Sequence, residues 1–515
     1  MIVALRPGLE TAVGPVVKTW VDTQFASRLF SQDSTLWGPL AMGEASVRLG
    51  WLDDPLSQRG LVAEISQLRQ ELSGAGVKRV ILCGMGGSSL GPEVMCASAG
   101  VPLLVVDTTH GDVLAPVLAS DLSDAVVVVS SKSGGTVETD SARRVFEQAL
   151  SAQGIEPAGR IVVVTDPDSP LHVQSRDAGY RVFFGNPTVG GRFSALTAFG
   201  LVPCGLAGMD LLPVLDDAHA AWVELSEDIP ANPGLRLGAA LAVGVPERNK
   251  LLLSPVSSMP GFGDWVEQLV AESTGKDGHG ILPVVGSSVR NASDCLSVGS
   301  EGDDADIQIS GGLGAQIMLW EVATACAAAH LGVNPFDQPN VESAKIAARE
   351  LLSAEGEGTR KSRAAEDLSV WASFSLPKAP EVLLTELLSQ IRDSSYVALC
   401  VFGDSTDQGP WRAAAGALER ATGRPVTLGF GPRFLHSTGQ FHKGGPTQGV
   451  FLQVVEVPEA TIAIPGREFD CTDLLIAQAR GDAQVLAETG QPVLSITARS
   501  AAARAEVLAM LTQGV

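Results

Sequence analysis

From about residue 60 onward, apolar positions recur in two alternating patterns. Within 61–73, Leu61, Ile65, Leu68 and Leu72 fall on one face at helical spacing. Short β-branched runs follow at 79–83, 103–107, 125–130, 161–165 and 181–184, with helical stretches such as 141–152 between them. A continuous Val/Ile run offers no polar face, so such a strand must be covered on both sides; runs joined by helical crossovers predict a parallel sheet. A second set of strands is predicted at 250–254, 281–285, 307–310, 397–402, 426–430 and 450–457, with 212–233 crossing between the sets. The pattern reads as an α/β protein with two doubly wound parallel-sheet domains and helices on both faces. An N-terminal arm occupies 1–44, the first domain 45–228, and the second 229–515 with a C-terminal extension. Length agrees, since 515 residues exceed the ~250–300 at which single cores stop growing.

Composition narrows the function classes. Hydrophobic residues make up 45% and charged residues 18%, the balance of a buried globular enzyme. The longest apolar stretches fall well short of the ~20 residues of a membrane span, and polar residues interrupt any leader-like start, so a cytoplasmic protein without a membrane partner is expected. Net charge is −22, from 36 basic and 58 acidic residues, which argues against a nucleic-acid partner. An anionic small substrate remains compatible where a few Lys and Arg converge. The seven cysteines form no C-x-x-C pair and the seven histidines no H-E-x-x-H. Reduced thiols are expected, with no disulfide frame, no metal and no cofactor.

Chemistry is concentrated in a few short segments. GMGGSSLGP (84–92) follows a predicted strand, where glycines let a backbone approach an anion and the next helix offers free N–H groups. Tight packing explains such a turn equally well, and it is not the G-x-G-x-x-G of dinucleotide sites. SSKSGGTVET (130–139) follows a strand in the same way, with hydroxyls at Ser131, Ser133 and Thr136, a charge at Lys132 and open backbone at Gly134 and Gly135. That is the composition of a phosphate cradle at a helix start; the plain alternative is a capped flexible turn. VGGRFSALTAFG (189–200) places Arg192 after two glycines, and QLVAESTGK (268–276) places Gln268 and Glu272 four apart on one helical face. VNPFDQPNVESAK (333–345) opens a helix at Pro339, with Gln338 and Lys345 two turns apart. FLHSTGQFHKGG (434–445) carries His436, His442 and Lys443, for which surface positions are the unremarkable alternative.

Together these segments resemble the active-site motifs of the phosphoglucose isomerase family, built from two sugar-isomerase (SIS) domains. The resemblance is nearest to the branch fused behind a transaldolase, although too few residues precede Gly84 in this chain for a barrel of ~250 residues. It implies that Gly87, Ser88, Ser131, Lys132, Ser133 and Thr136 surround a substrate phosphate. Gly191 and Arg192 match G-G-R, whose Arg stabilises an enediolate; Gln268 and Glu272 match Q-x-x-x-E, whose Glu is the base. Gln338 and Lys345 match F-D-Q-x-x-V-E-x-x-K, which lines the sugar and assists ring opening.

Two departures stand out. Gly134 and Gly135 replace the aromatic and Thr residues of the animal-type phosphate motif. The family's ring-opening His normally lies between the base and the F-D-Q element, where this chain has only His279 and His330. The surrounding L-H-S-x-G-Q occurs instead at 435–440, so the resemblance transfers that role to His436, acting in cis or in trans. The implied activity is isomerisation of glucose 6-phosphate and fructose 6-phosphate without cofactor, in a cytoplasmic enzyme and as an expected homodimer. A dual phosphoglucose/phosphomannose isomerase and a non-catalytic SIS sugar-phosphate-binding module are the alternatives; retention of Glu272 beside the cradle favours catalysis.

Overall fold

The computed structural model describes residues 1–289, 292–353, 362–364, 367–376 and 382–513, excepting the side chains of 342–345, 353 and 362–364. Strand β1 (Ile2–Leu5) opens the chain. A first sheet follows from β2 (Arg79–Gly84), β3 (Leu104–Val106), β4 (Ala125–Ser130), β5 (Ile161–Thr165) and β6 (Arg181–Phe184), in the order β3-β2-β4-β5-β6. All its pairings are parallel. Successive residues of one strand enter different cores: Val126 and Val128 of β4 join one cluster, Val127 and Val129 another. This alternation is why a strand buried on both faces reads as unbroken valine.

The second set of strands divides between two sheets rather than forming one. Strands β7 (Lys250–Leu253), β8 (Leu282–Val285), β9 (Cys295–Ser300) and β10 (Ile307–Ser310) make a sheet ordered β1-β10-β9-β7-β8. Its edge comes from the N-terminal arm, because β1 pairs antiparallel with β10. Strands β11 (Ser362–Ala364), β12 (Leu368–Ala372), β13 (Tyr396–Phe402), β14 (Val426–Phe430), β15 (Gly449–Glu456) and β16 (Val493–Ala498) form a third sheet ordered β11-β12-β16-β15-β13-β14. Its β13–β16 pairings are parallel, and β13 also sends alternate residues to two cores, Val397, Leu399 and Val401 against Ala398, Cys400 and Phe402.

The candidate site lies where the strand order of the first sheet reverses. Strand β2 leads outward to β3, and the chain then returns to the other side of β2 as β4, leaving a crevice between the carboxyl ends of β2 and β4. Into it point the starts of helices Gly87–Ser98 and Val137–Ala152. Helix Phe262–Thr274, between β7 and β8, presents its last turn to the same place. Among the described residues no helix is long and apolar enough to cross a membrane.

Candidate active site

The glycine-rich turn after β2 is shaped by close backbone contact. Gly86 has φ +57°, and a Cβ there would lie 2.7 Å from Gln268 Nε2 and 3.0 Å from the His436 carbonyl oxygen. A Cβ on Gly87 would come 1.9 Å from the Gly191 carbonyl oxygen. These glycines thus let three distant segments converge, which is the packing explanation of the motif. Ser88, in the next turn, is buried.

Arg192, on the short 3-10 turn Gly191–Phe193, is 4% exposed and densely bonded. Its Nε donates to Ser273 Oγ at 2.9 Å and to the Pro335 carbonyl at 3.2 Å; Nη2 donates to the carbonyls of Pro335 at 2.6 Å and Asp337 at 2.9 Å. Nη1 reaches Gln338 Oε1 at 3.0 Å and Glu272 Oε1 at 3.1 Å. Gln268, one turn before Glu272, donates to Glu272 Oε2 at 3.1 Å and to the His436 carbonyl at 2.8 Å. The structure therefore brings together Gly87, Gly191, Arg192, Gln268, Glu272, Gln338 and His436, from five separate stretches of chain.

His436 reaches this cluster within the same chain, on the turn Arg433–His436 after β14. Its Nε2 lies 2.9 Å from Glu138 Oε1, and Gln478 donates to the same oxygen at 2.6 Å. Burial alone would push the Glu138 carboxyl up; the charge and hydrogen bond of His436, with Gln478, overcome it and hold Glu138 at about 2. The sequence reading overlooked Glu138 although it lies two residues past Thr136 in the quoted motif. Gln478 sits on helix Cys471–Glu488 and carries no local signal. Gln440 fastens the His436 loop: it donates to the Gly275 carbonyl at 2.9 Å and accepts from the Asn340 N–H at 3.0 Å.

The other predicted residues fall as follows. Ser131 Oγ accepts from the Gly134 N–H and Ser133 Oγ from the Gly135 N–H, each at 3.2 Å, so both hydroxyls also shape the turn. Thr136 is the N-cap of helix Val137–Ala152, in extended conformation and without a side-chain capping bond. Lys132 is committed to Asp166 at 2.6 Å and to the Pro187 carbonyl at 3.1 Å. Lys345 lies on helix Pro339–Ser353, and its side chain is outside the described residues. His442 is no surface histidine: it is buried between Tyr396 and Phe451, and burial followed by the Lys443 charge pushes it down to about 3. Lys443 pairs with the buried Asp482 at 2.5 Å. A cavity of about 210 Å³, lined in part by Glu93, Asp107, Asp264, Glu267 and Arg433, contains none of Glu272, Arg192, Gln338 and His436.

No family model matches the chain, but it is similar to several known proteins. The glucose-6-phosphate isomerase of Leuconostoc mesenteroides is 30% identical over 304 residues, covering 45% of this chain and 67% of its own. That of Methanocaldococcus jannaschii is 30% identical over 239 residues, covering 44% and 58%. A crystal structure of a glucose-6-phosphate isomerase from Chlamydia trachomatis aligns at 22% identity and TM-score 0.49, over 64% of this chain and 77% of that one. The chain belongs to the glucose-6-phosphate isomerase family. It spans 58% and 49% of the length of the relatives from Methanocaldococcus jannaschii and Haloarcula marismortui.

Proposed function

We propose that the protein catalyses reversible isomerisation of glucose 6-phosphate and fructose 6-phosphate, by ring opening and a cis-enediol(ate) intermediate. The observation that carries this reading is the pairing of Glu272 with Arg192 at 3.1 Å, a carboxylate beside a fixed guanidinium. In the open-chain aldose, Glu272 takes the C2 proton and the carbonyl electrons move onto O1. Arg192, held by protein acceptors before any substrate arrives, meets that developing charge. A proton then passes from O2 to O1, and Glu272 returns its proton to C1, leaving the ketone at C2.

His436 with Lys345 opens the ring, and the Glu138 carboxylate orients the imidazole. The phosphate sits among Gly87, Ser88, Ser131, Lys132, Ser133 and Thr136, with Gly191, Gln268 and Gln338 towards the sugar. Binding energy from the phosphate, remote from the reacting carbons, holds C1 and C2 in register. The free cysteines, six of them buried, suit a reducing cytoplasm.

A coupled assay with fructose 6-phosphate tests the proposal directly. Turnover that depends on Glu272 is the expected result. Binding of fructose 6-phosphate without turnover would make the protein a sugar-phosphate-binding module. Comparable turnover of mannose 6-phosphate would make it a dual isomerase.

A further inference from the structure

Lys276 follows helix Phe262–Thr274 across Gly275, four residues beyond Glu272. Its side chain is 2% exposed. The ammonium donates to the Asn334 carbonyl, and at 2.7 Å to both the carbonyl and the Oδ1 of Asp337. Arg192 grips the same strip through Pro335, Asp337 and Gln338, so the Asp337 carbonyl accepts from both cations. We propose that Lys276 is a positioning residue: its ammonium locks strip 334–338 to the helix that carries Glu272, and through the shared Asp337 carbonyl fixes the Arg192 guanidinium for turnover. The inference rests on the roles assigned above to Glu272 and Arg192.

An ammonium is a costly fixture in this place. Its ionic partner, Asp337, is 41% exposed, and main-chain carbonyls supply much of its coordination. The charged groups around it are Arg192 on the 191–193 turn, Glu272 on the preceding helix and Asp337 on the strip itself. Burial, then the Arg192 charge, pushes the ammonium down to about 8, against Asp337 and Glu272. Above that pH the strip loses the positive charge that holds it.

The sign of the linkage separates positioning from plain stabilisation. Between about pH 8 and pH 10.4 the unfolded chain holds this proton and the folded chain does not, so the group's contribution to stability rises with pH. Positioning demands the opposite trend in activity. Turnover of the wild type should fall along a limb centred near pH 8 while its stability relative to Lys276→Met rises over the same range.

The experiment compares wild type, Lys276→Met and Lys276→Arg in pH profiles of turnover, with amide hydrogen exchange across 333–341 at pH 7. Lys276→Met is expected to lose about 10- to 100-fold in kcat, the scale of a misplaced catalytic group, with a smaller change in KM. Its strip should exchange faster. Lys276→Arg, charged at every accessible pH, should restore slow exchange and most of kcat and carry the plateau beyond pH 9. A wild-type profile without the limb near pH 8, or slow exchange and full kcat in Lys276→Met, overturns the inference. Should the wild type lack isomerase activity while exchange responds as described, the clamp stands and the functional reading fails.

Discussion

His436 Nε2 lies 2.9 Å from a carboxylate oxygen of Glu138, a residue 298 positions earlier in the chain. Glu138 is 4% exposed and His436 is its hydrogen-bond partner, so the ring nitrogen and the carboxylate oxygen in the contact have lost water in exchange for each other. The contact spans the first and third sheets, and it gives the imidazole one orientation in the crevice.

Glu138→Gln should therefore affect both stability and turnover. The carboxyl is held at about 2, below its ordinary 4.5, so its contribution is present above about pH 4.5 and disappears as the pH falls through 2. Chemical denaturation should find wild type more stable than the variant by on the order of 3 kcal/mol at pH 6, with the gap closing towards pH 2. A gap independent of pH would mean that the carboxylate charge contributes nothing.

His436→Ala separates ring opening from proton transfer. Turnover of a cyclic hexose phosphate should fall about 100-fold, the scale of a general acid–base group, while a tetrose phosphate that forms no stable ring loses little. The ratio of the two losses is the measurement. Equal losses would move His436 to the proton transfer or to the fold.

Glu272→Gln keeps the size of the side chain and removes the base. It should abolish both turnover and exchange of the C2 hydrogen with solvent, read by NMR in deuterated buffer. Arg192→Lys should lower kcat about 100- to 1,000-fold, as removal of a preorganised donor does. A lysine cannot span Ser273, Pro335, Asp337, Gln338 and Glu272 as the guanidinium fork does. Exchange at wild-type rate in Glu272→Gln would remove that residue from the role of base.

Gly87→Ala probes the convergence itself. The new Cβ would meet the Gly191 carbonyl at 1.9 Å, so backbone must shift. A loss of about 1–3 kcal/mol in stability is expected, with a drop in turnover because Arg192 adjoins the displaced carbonyl. Gly60→Ala, where a Cβ meets nothing within 4 Å on a helix, is the control and should be neutral or slightly stabilising. Equal thermal midpoints for the two variants would show that the 87–191 contact is loose in solution.

What could be read along the chain was whatever local periodicity encodes. Strands β4, β5 and β14 end within a residue of the predicted runs, because a strand covered on both faces is a continuous apolar run wherever it occurs. The Gln268–Glu272 pairing was equally legible, since helical spacing alone puts residues four apart on one face. Five strands escaped: β1, β9, β11, β12 and β16. β1 and β11 are short, with four and three residues, and β9 (CLSVGS) alternates small and polar residues that give little apolar signal.

Tertiary structure alone decided the partnerships. That the second run of strands splits into two sheets, with β1 completing one of them, depends on pairings between segments far apart in sequence. That His442 is a neutral core residue while His436 faces Glu138 depends on which side of one short loop meets Tyr396 and Phe451 and which meets the first sheet. Lys132, a charge in the 130–139 turn, pairs with Asp166, and Lys276, unmarked in the sequence, grips the strip beside Arg192. A charge in a sequence states only that a partner or water must be found for it; which partner is settled by the packing that excludes the water.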